Sequence, residues 1–558
     1  MAPLVESIMV PLRTDLHWKN RPPRAASQGA HFSFSVRARN TGREKWRDGD
    51  SEIMRSVMIG GAFYRGGQRI AYLEGWGKLP QPLAPGEEAI VEIKTNASAL
   101  PEGRYILRVD AVKLGVGFFE DFGSPPLEWE IEIAAPDESE ALWSRALPRC
   151  VNLWTPSQGA RRGLKNLYPL FAVRSDKARI ISSDGREYLD YIMGWGSAVL
   201  GYNRLEIQEA IRECISVGPT LPLPHPFQVE VAEKLAAFIP CAERTLFGKN
   251  GSDVMEAAIR IARAYTGRRL VLYCGYHGFH DWYVAGIGGV KGIPNEMRSL
   301  VQPFPFGDLD ALKRLLDAHR NEIAAVALEP CSLDYPPEGY LETVRAWTRE
   351  AGIVLIFDEI MSAFRLANGG AQEKYGVLPD MAAVGKGMAN GFPLAALTGP
   401  RSIMDSAFDI GYGPTFQGEV YSLAAAMAAL DIYAREPVCE TVCALGETLR
   451  EGVLSAAKHH EIQLKWKGIA PRLVIEFQSA GDYTSAMLRT FFIQELLEEG
   501  ILFGGTFLPS LAHTKEDVKW TLDIIDSIFQ RMRKALDEKN LLEKLYIPIH
   551  VLYLGEKD

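Results

Sequence analysis

Residues 352–365 read GIVLIFDEIMSAFR, and residues 381–391 read MAAVGKGMANG. Each begins with or contains a short apolar run and then delivers a charged side chain, Asp358 in the first and Lys386 in the second. Apolar runs of this length read as buried strands. In open parallel sheets the carboxyl edge of the strands is where ligands sit. A salt bridge between Asp358 and Lys386 explains both charges. So does a ligand held between them, and the neighbouring sequence has to choose.

Working outward, RLVLYC and AAVALE are further strand-like runs, and DLDALKRLLDAHRNE and YLETVRAWTREAG are amphipathic at helical spacing. Alternation of this kind predicts an α/β domain, a mainly parallel sheet with helices on both faces. Upstream, LFGKNGSDVMEAAIRIARAYTGR places Val254, Ala258, Ile261 and Tyr265 on one helical face, with Ser252 as the expected N-cap. Gly251 admits a ligand close to the backbone, and the free N–H groups of a helix start attract an anion. The segment YCGYHGFHDWY offers His277 and His280, but it lacks the helix and carboxylate partner that a histidine metal pair calls for. No metal is expected there. A strand-end turn of this kind suits a flat ring lying against Tyr276.

Taken together, these pieces match the needs of pyridoxal 5'-phosphate. A desolvated lysine supplies a neutral amine for its aldehyde, a carboxylate holds its protonated ring nitrogen, and a helix N-terminus takes its phosphate. An ion pair alone leaves the anion turn and Tyr276 without a purpose.

From about residue 160 to 540 the sequence closely resembles the class III, fold-type I, pyridoxal-phosphate aminotransferases, of the glutamate-1-semialdehyde aminomutase-like branch. The resemblance is carried in order by SSDGREYLDYIMGWGSAVLGYN, GKNGSD, GYHG, LIFDEIMSAFRLANGGAQEKYGVLPDMAAVGKGMANGFPLAAL, GPTFQGEVYSLAAAMAAL and LAHTKEDVKWTLDII. It implies that Lys386 condenses with the cofactor's aldehyde and then moves a proton, and that Asp358 holds the ring nitrogen. It further implies that Gly251 and Ser252 bind the phosphate, that Tyr276 stacks on the ring, and that Thr415 reaches the phosphate in the neighbouring subunit of a homodimer. Trp195 falls where the family lines its substrate pocket. Glu329 and His277 are expected either to support the site or to be satisfied structural residues. Arg365 is expected either to meet a substrate carboxylate or to brace its loop.

Two departures from the family pattern stand out. KNGSD replaces the usual NSGTE-type turn, and Gly418-Glu419-Val420 replaces the usual GNP. These changes put the semialdehyde substrate in doubt. The variants resemble a subgroup associated with polysaccharide and sugar modification. The expected reaction is amino transfer between an amino donor and a carbohydrate-like or small oxo acceptor. An aminomutase is the first alternative, and a glycan-binding scaffold with a silent fold is the second.

The first 135 residues differ in texture. HFSFSVRARN, EEAIVEIKTN, GRYILRVDAV and LEWEIEIAA alternate apolar and polar residues between Gly/Pro/Asn turns, which predicts an all-β, Ig-like sandwich. This segment resembles a module attached to glycan-assembly proteins, which implies a possible glycan contact. The expected organisation is a sandwich over 1–135, a connection over 136–160, a cofactor-binding domain over 161–440 that includes a small-domain segment at its start, and an α+β subdomain over 441–558.

A chain of 558 residues exceeds a single core. Its net charge of −9 argues against a nucleic-acid partner. No apolar run is long enough to span a bilayer. The start, MAPLVESIMVPLRTDLHWKN, does not read as a secretory leader. Seven dispersed cysteines fit free thiols in a reducing compartment, so a cytoplasmic location is expected.

Overall fold

The computed structural model describes residues 13–134 with breaks at 23–24, 28–30, 48–55, 74, 97–99, 102 and 114–116. It also describes the pairs 141–142, 145–146 and 149–150, and residues 171–545 except 332. The first twelve residues and most of the 136–160 connection lie outside the described residues.

The N-terminal part is two facing antiparallel sheets. One has Thr14–Asn20, His31–Asn40 and Glu88–Asn96; the other runs Leu127–Ala134, Gly103–Lys113, Val57–Arg65, Gln68–Tyr72, with Ala25–Ser27 added parallel at its edge. Period 2 is visible in His31–Asn40, where Phe34, Val36 and Ala38 are buried while Arg37 and Arg39 face out. The inner faces bury Trp46, Phe63, Leu107 and Ile131 together. Each such large apolar side chain contributes about 1.5–3 kcal/mol on burial.

The central strand Val57–Arg65 lacks an alternating pattern because neighbours cover it on both faces. Its Gly60-Gly61 pair is closely packed, and at Gly61 there is no room for a side chain. A Cβ on Gly61 would lie 2.1 Å from the Arg108 carbonyl oxygen, and one on Gly60 would touch the Trp76 ring.

The large domain carries a seven-stranded sheet. Its order is Arg244–Gly248, Ala395–Gly399, Met381–Val384, Val354–Asp358, Ile323–Leu328, Leu270–Cys274, Val301–Pro303. All strands are parallel except Ala395–Gly399, which runs against both neighbours. Buried helix Gly251–Thr266 covers one face of the sheet, and helices Leu309–Ala318 and Tyr340–Glu350 cover the other. The strands read as unbroken apolar runs because both faces are dry.

A third core joins residues 178–192 to the C-terminal segment. Strand Glu187–Asp190 pairs parallel with Ile501–Leu502, and helices Val438–His459, Ser485–Glu498 and Lys515–Asp537 close over them. No described helix is long and apolar enough to cross a membrane.

Candidate active site

The strands ending at Asp358 and Val384 are neighbours, with Asp358 opposite Ala383. Register therefore brings Asp358 and the turn holding Lys386 to one edge of the sheet. Asp358 is buried, and its Oδ1 accepts from the Ile360 amide at 3.2 Å. Its Oδ2 lies 2.8 Å from His277 Nδ1, and His277 Nε2 lies 3.1 Å from the Cys274 carbonyl. The imidazole, stacked on Trp282, thus fixes the carboxylate from below, with both ring nitrogens facing oxygen.

Lys386 lies just beyond its strand, in the short 3-10 turn Lys386–Ala389, at φ +46°. A left-handed backbone at a non-glycine residue is strained, and surrounding contacts must hold it. Tyr433 donates to the Gly387 carbonyl at 3.2 Å, and Asn390 ties the turn to Leu200 and Gly201. The amine is held below its ordinary value of 10.5, at about 8. Burial is the main cause and the Arg472 cation the next, with Arg365 adding to them, while Glu329 and Asp358 pull the other way.

Glu329 receives the Tyr276 amide on Oε2 at 3.0 Å and meets Arg472 Nη1 at 3.5 Å through Oε1. The turn that allows this contains Gly275 at φ +105°, where a Cβ would sit 2.7 Å from Glu329 Oε2. The Tyr276 ring is 65% exposed and meets Tyr283 edge-on.

The anion turn differs in one detail from the expectation. Asn250, not Ser252, is the N-cap, and the helix starts at Gly251. The reason is Asp253, whose Oδ2 accepts the amides of Lys249 and Asn250 and so closes the turn two residues earlier. That leaves the Gly251 and Ser252 amides at the helix start without an intrahelical partner. Tyr265, expected on the buried face, is half exposed. Ser252 Oγ accepts from the Phe279 amide at 3.3 Å. Gly278, at φ +93°, passes so close that a Cβ would lie 2.0 Å from that oxygen. His280 faces Asp253 and Glu256 at 3.7 and 3.5 Å rather than sharing a ligand point with His277.

Trp195 sits in a turn where Met193, Gly194, Trp195 and Gly196 all have positive φ, and its ring is 47% exposed. Arg365 is buried and braces this turn. Its Nη2 donates to Gly196 O at 2.9 Å, and its Nη1 to Pro471 O and Pro509 O at 3.1 and 3.2 Å. Thr415 lies on an exposed stretch between Tyr412 and the helix Val420–Arg435.

Sequence reading passed over Arg472, which lies in PRLVIEF and reads only as part of a strand. It also passed over the contact of Gly278 with Ser252, which only the fold brings about.

The donor set fits pyridoxal phosphate: an amine of depressed basicity, a buried carboxylate, and an anion cradle that a Cβ at Gly278 would fill. Fold and site together define a fold-type I pyridoxal-phosphate enzyme. Residues 160–529 match the family Aminotransferase class-III. The chain is 32% identical over 381 residues to the 3-aminobutyryl-CoA aminotransferase of Cloacimonas acidaminovorans, covering 66% of this chain and 91% of the relative. It is 31% identical over 431 residues to the glutamate-1-semialdehyde 2,1-aminomutase of Akkermansia muciniphila, covering 71% and 100%. The FumI protein of Sphingopyxis sp. MTA144, solved in its PLP internal aldimine form, superposes with TM-score 0.67 at 28% identity, covering 74% of this chain and 98% of that one. The chain belongs to the class III aminotransferases, and its cofactor is pyridoxal phosphate.

Proposed function

We propose that this enzyme moves an amino group between a separate amino donor and a carbohydrate-like or small oxo acceptor in polysaccharide or glycan assembly. The observation that carries the amino-transfer reading is the pairing of a depressed Lys386 amine with the Asp358–His277 couple on adjacent strands.

Bound pyridoxal phosphate supplies an aldehyde that takes up amines and a ring that accepts electrons when a Cα proton leaves. In this reading Gly251 and Ser252 hold the phosphate, and Asp358, fixed by His277, offers its carboxylate to the ring nitrogen. Tyr276 covers the ring face and Trp195 lines the substrate side. Lys386 would hold the aldehyde carbon and would take up and return the substrate's proton, a task suited to a base near neutrality. Glu329 keeps the Tyr276 backbone in place.

The acceptor class rests on the KNGSD and GEV departures and on the N-terminal sandwich, whose exposed Tyr72 stacks on Phe118 at 6.1 Å. A homodimer with Thr415 serving the other subunit is supported by apolar side chains around its loop. Phe416, Leu221 and Leu223 are exposed, and the two loops are adjacent because the Val420 amide donates to Pro219 O. Free cysteines fit a cytoplasmic enzyme.

The aminomutase reading is favoured by relatives such as the Thermomicrobium roseum glutamate-1-semialdehyde 2,1-aminomutase, 34% identical over 403 residues. One experiment separates the two. Amino donors are mixed singly with loaded enzyme while its visible band is followed. Loss of the band that persists until an oxo acceptor is added supports the transaminase. Sustained turnover of one amino-aldehyde without a second substrate supports the mutase.

A further inference from the structure

The two departures from the family pattern touch each other. Lys249 Nζ, beside the anion turn, donates to Glu419 Oε2 at 3.0 Å, although the residues lie 170 positions apart. Both side chains are largely buried, 14% and 15% exposed. Glu419 also caps the helix Val420–Arg435, accepting the Tyr421 and Ser422 amides at 2.7 and 3.1 Å, and its carboxyl is held below the usual range. Lys249 is equally tied on its own side, since its amide reaches Asp253 Oδ2. One ion pair therefore joins the starts of two sixteen-residue helices, Gly251–Thr266 and Val420–Arg435. The loop between Tyr412 and Glu419 is fixed to the same place at its other end, where Tyr412 donates to Phe247 O at 3.1 Å.

We propose that Lys249 and Glu419 are positioning residues that fix the phosphate-binding turn of one subunit relative to its Thr415 loop, which serves the neighbouring subunit's phosphate, so that each phosphate is gripped fully only when this pair is intact. Lys249 itself is not a phosphate ligand, because its ammonium is committed to Glu419. A largely buried pair holds a fixed geometry better than an exposed one, and removing one partner strands the other. The proposal rests on the reading of Gly251 and Ser252 as the phosphate turn.

The test compares two ligands on the full-length apoenzyme, pyridoxal phosphate and its phosphate-free form, pyridoxal, each titrated by absorbance. Lys249→Met should weaken pyridoxal phosphate at least tenfold and leave pyridoxal within about threefold, and Lys249→Arg should restore most of the loss. In a cycle with Glu419→Gln, the second replacement should add less than threefold. Equal weakening of both ligands, no weakening by Lys249→Met, or effects that multiply would each overturn the proposal. Lys249→Met keeps the stem and leaves the Glu419 cap bonds to Tyr421 and Ser422 in place, so it carries the test alone if Glu419→Gln folds poorly. Ser252→Ala separates the two readings. If it leaves the ratio of the two affinities unchanged, the phosphate turn itself is misassigned. If it lowers the affinity for pyridoxal phosphate relative to pyridoxal while Lys249→Met does not, only the positioning role fails.

Discussion

The basicity of Lys386 depends on a residue distant in sequence, and replacing Arg472 with Gln should expose that dependence. At its ordinary value of 10.5, about one lysine in three thousand carries a free amine at pH 7. At about 8, about one in ten does, so the fold leaves this amine uncharged about 300-fold more often. Burial supplies the largest part, and the Arg472 cation the next. Removing that cation also releases Glu329, its partner at 3.5 Å, to attract the Lys386 proton. At an effective dielectric of about 20, any unit charge acting across about 10 Å is worth about 1.7 kcal/mol, about one pH unit. The Lys386 midpoint in Arg472→Gln should therefore rise by about one unit or more.

Trace labelling of the apoenzyme with acetic anhydride, read at the Lys386 peptide by mass spectrometry, reports the free-amine fraction without using the cofactor. Wild type should show an inflection near pH 8, and Arg472→Gln one near 9 or above. At pH 7 the variant should label about tenfold more slowly. A wild-type inflection near 10 would refute the desolvation argument. An unchanged or lower midpoint in the variant would refute the role given to Arg472.

The same depression has a cost in stability. Unfolded chains keep the lysine proton up to 10.5 while the folded apoenzyme loses it at about 8, so stability rises with pH between those values. At about 1.4 kcal/mol per pH unit, Lys386→Met should stabilise the apoenzyme at pH 7 by up to about 3 kcal/mol, with the gap closing by pH 10.5 in denaturant titrations. Gly278→Ala puts a methyl where Ser252 Oγ stands, at a φ that disfavours it, and should weaken pyridoxal phosphate more than tenfold by equilibrium titration. Trp195→Gly removes about 1 kcal/mol of left-handed backbone strain. Its melting temperature should hold or rise while amino transfer falls at least tenfold, and a fall in both would show the ring is there for stability.

Much of the sheet was legible because its strands are fully buried and its helices amphipathic, and both leave strong local patterns. Asp358 and Lys386 were legible for a related reason, since a charge following an apolar run is conspicuous. The strand Val57–Arg65 escaped because its glycines answer to Arg108 and Trp76, neither of which is near in sequence. Ser252 was misread as the N-cap because the choice falls to Asp253, one residue further on, whose carboxylate closes the turn at Asn250. Arg472 had no local signal, and the departures at Lys249 and Glu419, though visible, gave no sign that the two residues meet. Their meaning is electrostatic and lies across the fold.

Arg365 shows how those distant parts are brought into line. It lies on the same segment as Asp358, and the question raised by its sequence was whether it meets a substrate or braces a loop. Its terminal nitrogens are taken up by the carbonyls of Gly196, Pro471 and Pro509, which answers for bracing. Those carbonyls adjoin Trp195 on one side and Arg472 on another. A single planar cation thus sets the strained tryptophan turn and the arginine that tunes Lys386, in fixed relation to the Asp358 strand. Lysine could not do the same, because three carbonyls held by one rigid fork need the geometry of guanidinium. Among the described residues no carboxylate hydrogen-bonds that buried charge, and it too lowers the basicity of Lys386. Bracing and activation are therefore one device. The residue that fixes the Trp195 turn also helps to leave the Lys386 amine uncharged.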